Sequence, residues 1–369
     1  MTRRELFKTV GSAALISPLM SRAKAEEIPN PHGHRGMGGA PTAFIAHNGR
    51  TIGGPGGANG NLARAARGGF ATRPFTEDFF DYCHSLGLGG AEMGLPPLDP
   101  DTIRKFRDKV QAYDMHVIFN IPLPGTDAGL DLFDKEIAAA KAAGAYGLHA
   151  ALTGRRYEQF KTLSEYRENF ERIQATVSRA EPVLRKHQLR LAIENHKGWR
   201  AVEQAAWMKR LSSEYVGVHF DFGNNVSLLE EPMFTLETLK PWIFSGHIKD
   251  MAVEPYEDGF LLSEVPFGEG FLDLKKMVVT LRTKNPDMPL DLEMITRDPL
   301  KVPIYTDRYW VSLDEIPGQQ VAQMMELIQK HPPKGPLPKT AGLNLEDRRK
   351  LEENYNLACI KYARQNLEL

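Results

Sequence analysis

The sequence predicts an α/β protein, a (β/α)8 TIM barrel with a glycine-rich N-terminal segment and a C-terminal helical extension. Short apolar segments alternate with helical patterns eight times, and eight such units in roughly 260 residues match the size of this barrel. The segments are continuously apolar, as in Val117-Ile118-Phe119, which is typical of strands buried on both faces. The alternative is an open doubly wound sheet, but the chain lacks the dinucleotide-binding glycine motif usual in that fold.

Each predicted strand except the last is followed by a helix or a long loop. The strands are residues 42–46, 90–94, 115–121, 147–152, 189–193, 216–222, 245–249 and 290–294. The helices between them are residues 75–86, 101–113, 130–143, 157–186, 202–211, a helix near Leu236, and 272–282. Thr76 is a suitable N-cap for the first helix. Pro182 is expected to bend or break the longest one, because proline cannot donate a helical hydrogen bond.

Composition divides the chain into four parts. We expect an export signal, a glycine-rich segment that includes the first strand, the catalytic barrel, and a proline-rich linker with a C-terminal helix, at residues 1–25, 26–73, 74–330 and 331–369. No helix start follows the run Gly53-Gly54-Pro55-Gly56-Gly57, so it predicts a mobile loop rather than a phosphate-binding loop. A helix at 321–330 would close the barrel. The charged helix at 344–367 would brace the barrel or mediate a homo-oligomer.

The first 25 residues resemble a twin-arginine export signal. Arg3-Arg4 precedes a weakly apolar run, and the small residues of Ala23-Lys24-Ala25 are suited to cleavage, although Leu6-Phe7 reverses the usual order of those two residues. The apolar run is about half as long as a membrane-spanning helix, so we expect no stable membrane insertion. An ordinary secretory signal and a cytosolic amphipathic start are the alternatives. The expected location is the periplasm, reached by the twin-arginine route.

Charge and cysteine content exclude several classes of function. The chain has 46 basic and 47 acidic side chains and a formal net charge of −1, so it lacks the general basic character that would favour a nucleic-acid partner. Its two cysteines, Cys83 and Cys359, are far apart and lack metal-type spacing. A disulfide scaffold and a thiolate zinc site are therefore both excluded.

Four polar residues end four consecutive predicted strands, and we call them the strand-end quartet: Glu194, Asp221, His247 and Glu293. The steps from 194 to 221 and from 221 to 247 are 27 and 26 residues, one βα unit each, and the last step is lengthened by the loop 254–270. In a TIM barrel the carboxyl ends of the strands converge on one mouth, where the active site lies. Three carboxylates meeting there would repel one another unless a cation lies among them.

The donor atoms of the quartet favour one divalent metal ion. Three carboxylates and one imidazole suit Mn²⁺ best, with Mg²⁺, Co²⁺ or Zn²⁺ also compatible. The simpler interpretation is that each residue forms a stabilising ion pair with a nearby lysine or arginine. Four such pairs at successive strand ends are much less expected than one.

The chain resembles the xylose-isomerase-like TIM barrels, the sugar isomerase and epimerase superfamily, over residues 75–300. The motifs that carry the resemblance are Ile193-Glu194-Asn195-His196, Phe220-Asp221-Phe222-Gly223-Asn224, Gly246-His247-Ile248-Lys249-Asp250, Pro266-Phe267-Gly268-Glu269-Gly270 and Leu292-Glu293. The resemblance implies that the strand-end quartet binds the metal. It also implies that Glu194 and Glu293, on opposite sides of the substrate carbon, donate and accept the proton.

Further site residues are predicted from their positions near the same strand ends. The candidate substrate contacts are His196, Lys249, Asn224, Trp199 and His149, with Glu92 a weaker candidate. Lys249 would either bind a sugar oxygen or pair with a carboxylate, and Trp199 would either stack on a sugar ring or pack under a loop. His219 and Asp291 precede Asp221 and Glu293 by two residues, which places them on the same strand face one layer deeper. We expect those two to hydrogen-bond to the ligands. Asn224 stands where some ketose epimerases of the superfamily carry a substrate-binding histidine, which argues against a plain ketose 3-epimerase.

Two enzyme activities fit these residues. The first is a metal-dependent isomerase or epimerase that abstracts a proton next to the carbonyl of an unphosphorylated sugar, through a metal-stabilised enediolate. The second is a lyase that uses the same base and metal to eliminate the β-substituent of a 3-keto-glycoside. An abasic-site endonuclease would need more histidines and a basic face. A metal-free sugar-binding barrel would not need three converging carboxylates.

Overall fold

A closed barrel of eight parallel strands forms the centre of the computed structural model, which describes residues 29–47, 75–313 and 316–369. The barrel strands are β1 (Gly38–Gly39), β2 (Gly90–Gly94), β3 (His116–Asn120), β4 (Gly147–Ala150), β5 (Leu191–Glu194), β6 (Val216–Asp221), β7 (Ile243–Ile248) and β10 (Leu290–Leu292). Successive strands pair in parallel, and β10 closes the barrel on β1 with Asp291 opposite Gly38. The predicted (β/α)8 TIM barrel is confirmed.

Helices cover the outside of the barrel. They are α1 (Glu77–Ser85), α2 (Pro100–Tyr113), α3 (Leu130–Ala142), α4 (Arg156–Gln159), α5 (Leu163–His187), α6 (Ala201–Leu211), α7 (Pro232–Leu239), α8 (Leu274–Lys284), α9 (Asp307–Trp310), α10 (Gly318–Lys330) and α11 (Leu345–Asn366). N-capping residues in the sequence explain where several of these helices begin. Asp99, for example, accepts a hydrogen bond from the Thr102 amide at 2.8 Å and precedes a proline in the first turn of α2.

The predicted helix 157–186 is instead two helices, α4 and α5. Thr162 ends the break between them, since its side chain accepts the Glu165 amide at 3.1 Å and caps α5. Pro182 lies inside α5, which continues to His187, so the helix is not broken at this proline, and a bend there stays a prediction. Thr76 precedes α1 as predicted, but its side chain makes no capping hydrogen bond.

The first barrel strand is Gly38–Gly39 and not the predicted apolar segment 42–46. A Cβ atom at Gly38 would lie 1.9 Å from Asp291 Oδ1, so only glycine fits beside that buried side chain. The apolar segment instead forms turns after the strand. Its Phe44 packs against Phe79 and Tyr82 of α1, with ring centroids 5.9 and 6.0 Å apart.

The predicted loop 254–270 contains most of a small antiparallel sheet. Its strands are β8 (Asp250–Tyr256), β9 (Gly259–Val265) and β11 (Leu300–Val302), in the order β11-β9-β8. The carboxylate of Asp250, at the start of β8, accepts hydrogen bonds from the backbone amides of Gly268, Gly270 and Leu272 at 2.9–3.2 Å. These bonds fold the end of the insertion back beside the barrel mouth.

The C-terminal helix α11 packs against the turns that follow β1. Asn356 donates to the Ala43 carbonyl at 2.7 Å, and the Ala46 amide donates to Glu352 Oε1 at 3.0 Å. Burial raises the pKa of Glu352 to about 7, although the amides of Ala46 and Ile45 oppose the shift. Helix α11 therefore braces the entrance of the chain into the barrel. A role in a homo-oligomer stays a prediction.

A histidine–carboxylate pair fills the end of the barrel opposite the mouth. His116 Nε2 lies 2.7 Å from Asp291 Oδ1, and His116 Nδ1 lies 2.9 Å from the His34 carbonyl. Both side chains are buried. Gly38 and Gly90 face this pair, and a Cβ at Gly90 would lie 2.1 Å from His116 Nε2. We call His116 and Asp291 the floor pair.

Two sequence predictions concern residues outside the described part of the chain: the export signal at 1–25 and the glycine-rich loop at 53–57. Among the described residues, no helix combines the length and apolar character needed to cross a membrane.

Candidate active site

The barrel brings the strand-end quartet to one mouth. Glu194 and Asp221 are the last residues of β5 and β6, His247 is the last but one of β7, and Glu293 directly follows β10. All four are nearly inaccessible to solvent, with at most 5% of each residue exposed. The parallel strands thus place the four side chains around the same axis, as their spacing predicted.

A cavity of about 260 Å³ opens at this mouth. Its polar lining is Thr42, Asn120, His149, Glu194, His196, Lys197, Asp221, Lys249, Glu293 and Arg297, and its apolar wall includes Ile121, Leu123, Leu152 and Ile295. Three members of the quartet therefore face the cavity, and His247 lies next to them. A small cavity with a few convergent charged groups and an apolar wall is typical of a small-molecule site.

Lys249 lies between two carboxylates of the quartet. Its Nζ donates to Asp221 Oδ2 at 2.7 Å and to Glu293 Oε2 at 2.8 Å. Burial alone would lower the pKa of Lys249, but these two carboxylates raise it above its usual value. Burial alone would likewise raise the pKa of Glu293, but Lys249 and His247 hold it well below its usual range. Lys249 and Glu293 are therefore both ionised at neutral pH.

A hydrogen-bonded chain of buried histidines and carboxylates lies under the cavity. His247 Nε2 is 2.8 Å from Glu92 Oε2, and His149 Nε2 is 3.1 Å from Glu194 Oε2. Burial alone would lower the pKa of His149, but Glu92 and Glu194 raise it to about 9. His149 is thus a charged hydrogen-bond donor to Oε2 of Glu194. Oε1 of Glu194 remains available to other partners.

His219 and Asn224 complete the surroundings of the quartet. The His219 ring lies between those of His149 and His247, with centroids 4.3 and 4.2 Å away, and its Nδ1 is 2.8 Å from Ser245 Oγ. Asn224 donates to Glu194 Oε1 at 3.2 Å and also to Asp221 Oδ2. Asn224 therefore orients two carboxylates rather than lining the cavity.

The quartet fits a divalent metal through three of its members. Ligand atoms of Glu194, Asp221 and His247 all lie within 4.8 Å of one another. Asp221 Oδ1 is buried without a hydrogen-bond partner, and burial raises the pKa of this carboxyl well above its usual range despite Lys249. A cation at this point would offset the burial of that charge.

Glu293 and a second cluster of possible ligands lie beside the group of Glu194, Asp221 and His247. Glu293 Oε1 accepts the Thr42 hydroxyl at 2.8 Å and lies 3.4 Å from His247 Nδ1, so Glu293 adjoins the three-residue group without being part of it. Glu92, His149 and His247 form a second group of similar size, which shares His247 with the first.

The other predicted site residues separate into two sets. His149, His196 and Lys249 line the cavity, as expected of substrate contacts. Trp199 is fully buried and packs against Phe170 and Trp207, with ring centroids 5.5 Å apart, so its place is in the hydrophobic core. Asp291 bonds to His116 at the floor of the barrel, where the expectation was a bond to a ligand.

Four cavity residues were missed from the sequence or given no role there: Thr42, Asn120, Lys197 and Arg297. Lys197 directly follows the motif Ile193-Glu194-Asn195-His196 at the end of β5. This position could have indicated that Lys197 lies at the barrel mouth. Arg297 is held by Glu264, with N–O distances of 3.1 and 2.6 Å. Glu264 lies on β9, outside the barrel. The pattern of polar residues at barrel-strand ends therefore gave no indication that Arg297 is held at the cavity.

Comparison with known proteins agrees with this architecture. A family described as xylose isomerase-like TIM barrel matches residues 80–331. The Escherichia coli (strain K12) protein YihM, described as uncharacterized, is 28% identical over 101 residues, which cover 27% of this chain and only 31% of YihM. The similarity to YihM thus covers about a third of the length of that protein.

Solved structures extend the likeness over most of the chain. The probable 3-DHS dehydratase AsbF of Bacillus anthracis, involved in petrobactin synthesis, is 12% identical with a TM-score of 0.50, covering 79% of this chain and 98% of AsbF. The 3-keto-D-glucoside 4-epimerase YcjR of E. coli is 13% identical with a TM-score of 0.45, covering 69% of this chain and 93% of YcjR. From its barrel and the match over residues 80–331, the chain belongs to the xylose isomerase-like TIM barrel family.

Proposed function

We propose that the protein is a divalent-metal-dependent isomerase or epimerase of an unphosphorylated sugar. The observation that carries the proposal is the placement of Glu194 and Glu293 on one cavity. Their strands, β5 and β10, are three places apart around the eight-stranded barrel, so the two carboxylates face the cavity from different sides. A substrate carbon between them has a carboxyl group on each face. The ionised one can take the proton from one face, and the other, in its protonated form, can return a proton to the opposite face.

The protein groups around each glutamate suit proton transfer. His149 and Asn224 each donate a hydrogen bond to Glu194, and Thr42 and Lys249 each donate one to Glu293. These donors fix the orientation of both carboxylates, so neither has to be ordered when the substrate binds. A bound metal would supply a positive charge beside the substrate carbonyl, which makes the neighbouring C–H more acidic.

Lys249 has a second role in this mechanism. It is charged, it is buried, and its ammonium group lies between Asp221 and Glu293. It therefore helps to keep Glu293 ionised, and it opposes the rise that burial causes in the pKa of Asp221. We expect it also to donate to a substrate oxygen, because its side chain lines the cavity.

The protein is proposed to act outside the cytoplasm, after export by the twin-arginine route. The proposal is supported by the Arg3-Arg4 signal pattern. Export also favours a free sugar over a sugar phosphate as the substrate, since sugar phosphates are chiefly cytoplasmic.

The activity is tested by incubating the full chain, supplemented with Mn²⁺, with free aldoses and ketoses, with hexuronates and with 3-keto-glycosides in D₂O. We expect an isomeric sugar that carries deuterium at the carbon next to the carbonyl. Release of the β-substituent with an unsaturated product would instead identify the lyase. Neither product with any of these sugars, in protein shown to contain metal, would contradict the proposal.

A further inference from the structure

Lys197 is a buried cation that forms no ion pair with the residues that the structure describes. Only 2% of this residue is exposed, and its side chain lines the cavity. Its Nζ donates to Asn224 Oδ1, which is a neutral amide oxygen. Among residues 29–47, 75–313 and 316–369, no carboxylate lies within the ion-pair distance of 4.0 Å from it.

The other lysine and the arginine of the cavity are paired. Lys249 Nζ lies 2.7 Å from Asp221, and Arg297 lies 2.6 Å from Glu264. Burial, together with the positive charges of Lys249 and Arg297, lowers the pKa of Lys197 to about 8. Lys197 is therefore still mostly protonated at pH 7. The carboxylates of Asp221 and Glu264 offset part of its charge, but neither is within ion-pair distance of it.

A buried, unbalanced ammonium group is costly unless a ligand supplies the opposite charge. From this geometry we propose that the substrate is a sugar acid whose carboxylate binds to Lys197, while the carbon to be deprotonated lies between Glu194 and Glu293. The inference rests on the proposed function and narrows its substrate class. The cavity of about 260 Å³ is at the small end of ligand sites, which suits a monosaccharide.

The test is a set of calorimetric titrations of the Mn²⁺-supplemented full chain with matched ligands. The pairs are sodium D-glucuronate with D-glucose and sodium D-galacturonate with D-galactose, and glucose 6-phosphate is a further anion. Chromatography after each titration shows whether the ligand has reacted. A charge-assisted hydrogen bond predicts that at least one hexuronate binds about tenfold or more tightly than its neutral partner.

Three variants separate this role from a structural one. Lys197→Met should remove the preference for the hexuronate, measured as the ratio of its affinity to that of the neutral hexose in the same variant. Lys197→Arg keeps the charge and should keep part of the preference. Lys275→Met changes an exposed lysine on α8 and should behave like the wild type. Circular dichroism and thermal melts establish that each variant is folded.

Equal binding of hexuronates and neutral hexoses by the wild type would overturn the inference. So would a preference that survives in folded Lys197→Met, or tighter binding of glucose 6-phosphate than of any hexuronate. If Lys197→Met does not fold, loss of the preference in folded Lys197→Gln decides instead. The result is independent of turnover: Lys197-dependent binding without isomerisation would contradict only the proposed function, and isomerisation of neutral sugars without acid binding would contradict only the inference.

Discussion

The mouth and the floor of the barrel hold the same kinds of side chain in different settings. At the mouth, carboxylates and His247 surround a cavity of about 260 Å³. At the floor, His116 and Asp291 lie 2.7 Å apart with two glycines packed over them. Composition alone therefore does not identify a site. The space left beside the charged groups does.

The difference is sharpest on strand β10 and the residue that follows it. Asp291 and Glu293 are two positions apart on the same strand face, yet Asp291 bonds to His116 while Glu293 faces the cavity. A single layer of the barrel separates a structural carboxylate from a proposed catalytic one. The predictions below test whether these two positions differ in function as sharply as they differ in surroundings.

The largest effect is expected from Glu293→Gln. The amide keeps the shape of the side chain but cannot accept a proton, so turnover should fall about a thousandfold. Metal content should change little, because the group of Glu194, Asp221 and His247 remains. Steady-state kinetics and metal analysis check this, with exposed Glu257→Gln as the matched control. Turnover near the wild-type level would remove Glu293 from the chemistry.

The next largest effect is expected from Gly90→Ala at the floor. The added Cβ would lie 2.1–2.3 Å from three atoms of the His116 ring, which is buried and held by Asp291 and the His34 carbonyl. We expect a loss of about 3 kcal/mol in the free energy of unfolding, measured by urea denaturation. Gly125→Ala is a control, since a Cβ there meets nothing within 4 Å. Equal stability of the two variants would mean that the floor is not tightly packed.

A smaller loss is expected from Asp291→Asn. The substitution keeps the size of the side chain but weakens the bond to His116. The free energy of unfolding should fall by about 2 kcal/mol. Turnover of the folded variant should stay close to that of the wild type, in contrast to Glu293→Gln. A large loss of turnover in folded Asp291→Asn would show that the floor pair also supports the chemistry.

The smallest effect concerns Glu352, a buried carboxyl far from both ends of this comparison. Its pKa is about 7 in the folded protein and near the ordinary 4.5 when unfolded. The folded state therefore holds the proton more tightly, and stability falls as the pH rises from about 4.5 to 7. Glu352→Gln should remove that fall and gain about 1 kcal/mol at pH 8. Denaturation at pH 5 and pH 8 measures it, and an unchanged pH dependence would contradict the shift.

The sequence predicted the barrel and the strand-end quartet for one physical reason. Parallel strands buried on both faces leave continuous apolar runs, and a charged residue at the end of such a run stands out. The strand β1 gave no such signal, because Gly38-Gly39 has no apolar side chains. The apolar segment 42–46 predicts the first strand instead, but its Phe44 packs on α1.

The remaining differences arise from contacts between distant parts of the chain. The partner of Asp291 is His116, 175 residues away, and the partner of Arg297 is Glu264 on a sheet outside the barrel. Trp199 follows β5 as a sugar-stacking residue would, but packing against Phe170 and Trp207 buries it. Spacing along one chain indicates which residues share a face, but the partners depend on the closed barrel.

The central claim is that the mouth binds a metal and the floor does not. We would measure the metal content of protein purified without chelator by mass spectrometry, beside Glu194→Ala/Asp221→Ala and Asp291→Asn. We predict about one divalent ion per chain in the wild type and in Asp291→Asn, and loss of that ion in the double variant. A wild-type protein that contains no metal and takes up none from added Mn²⁺ would contradict the account.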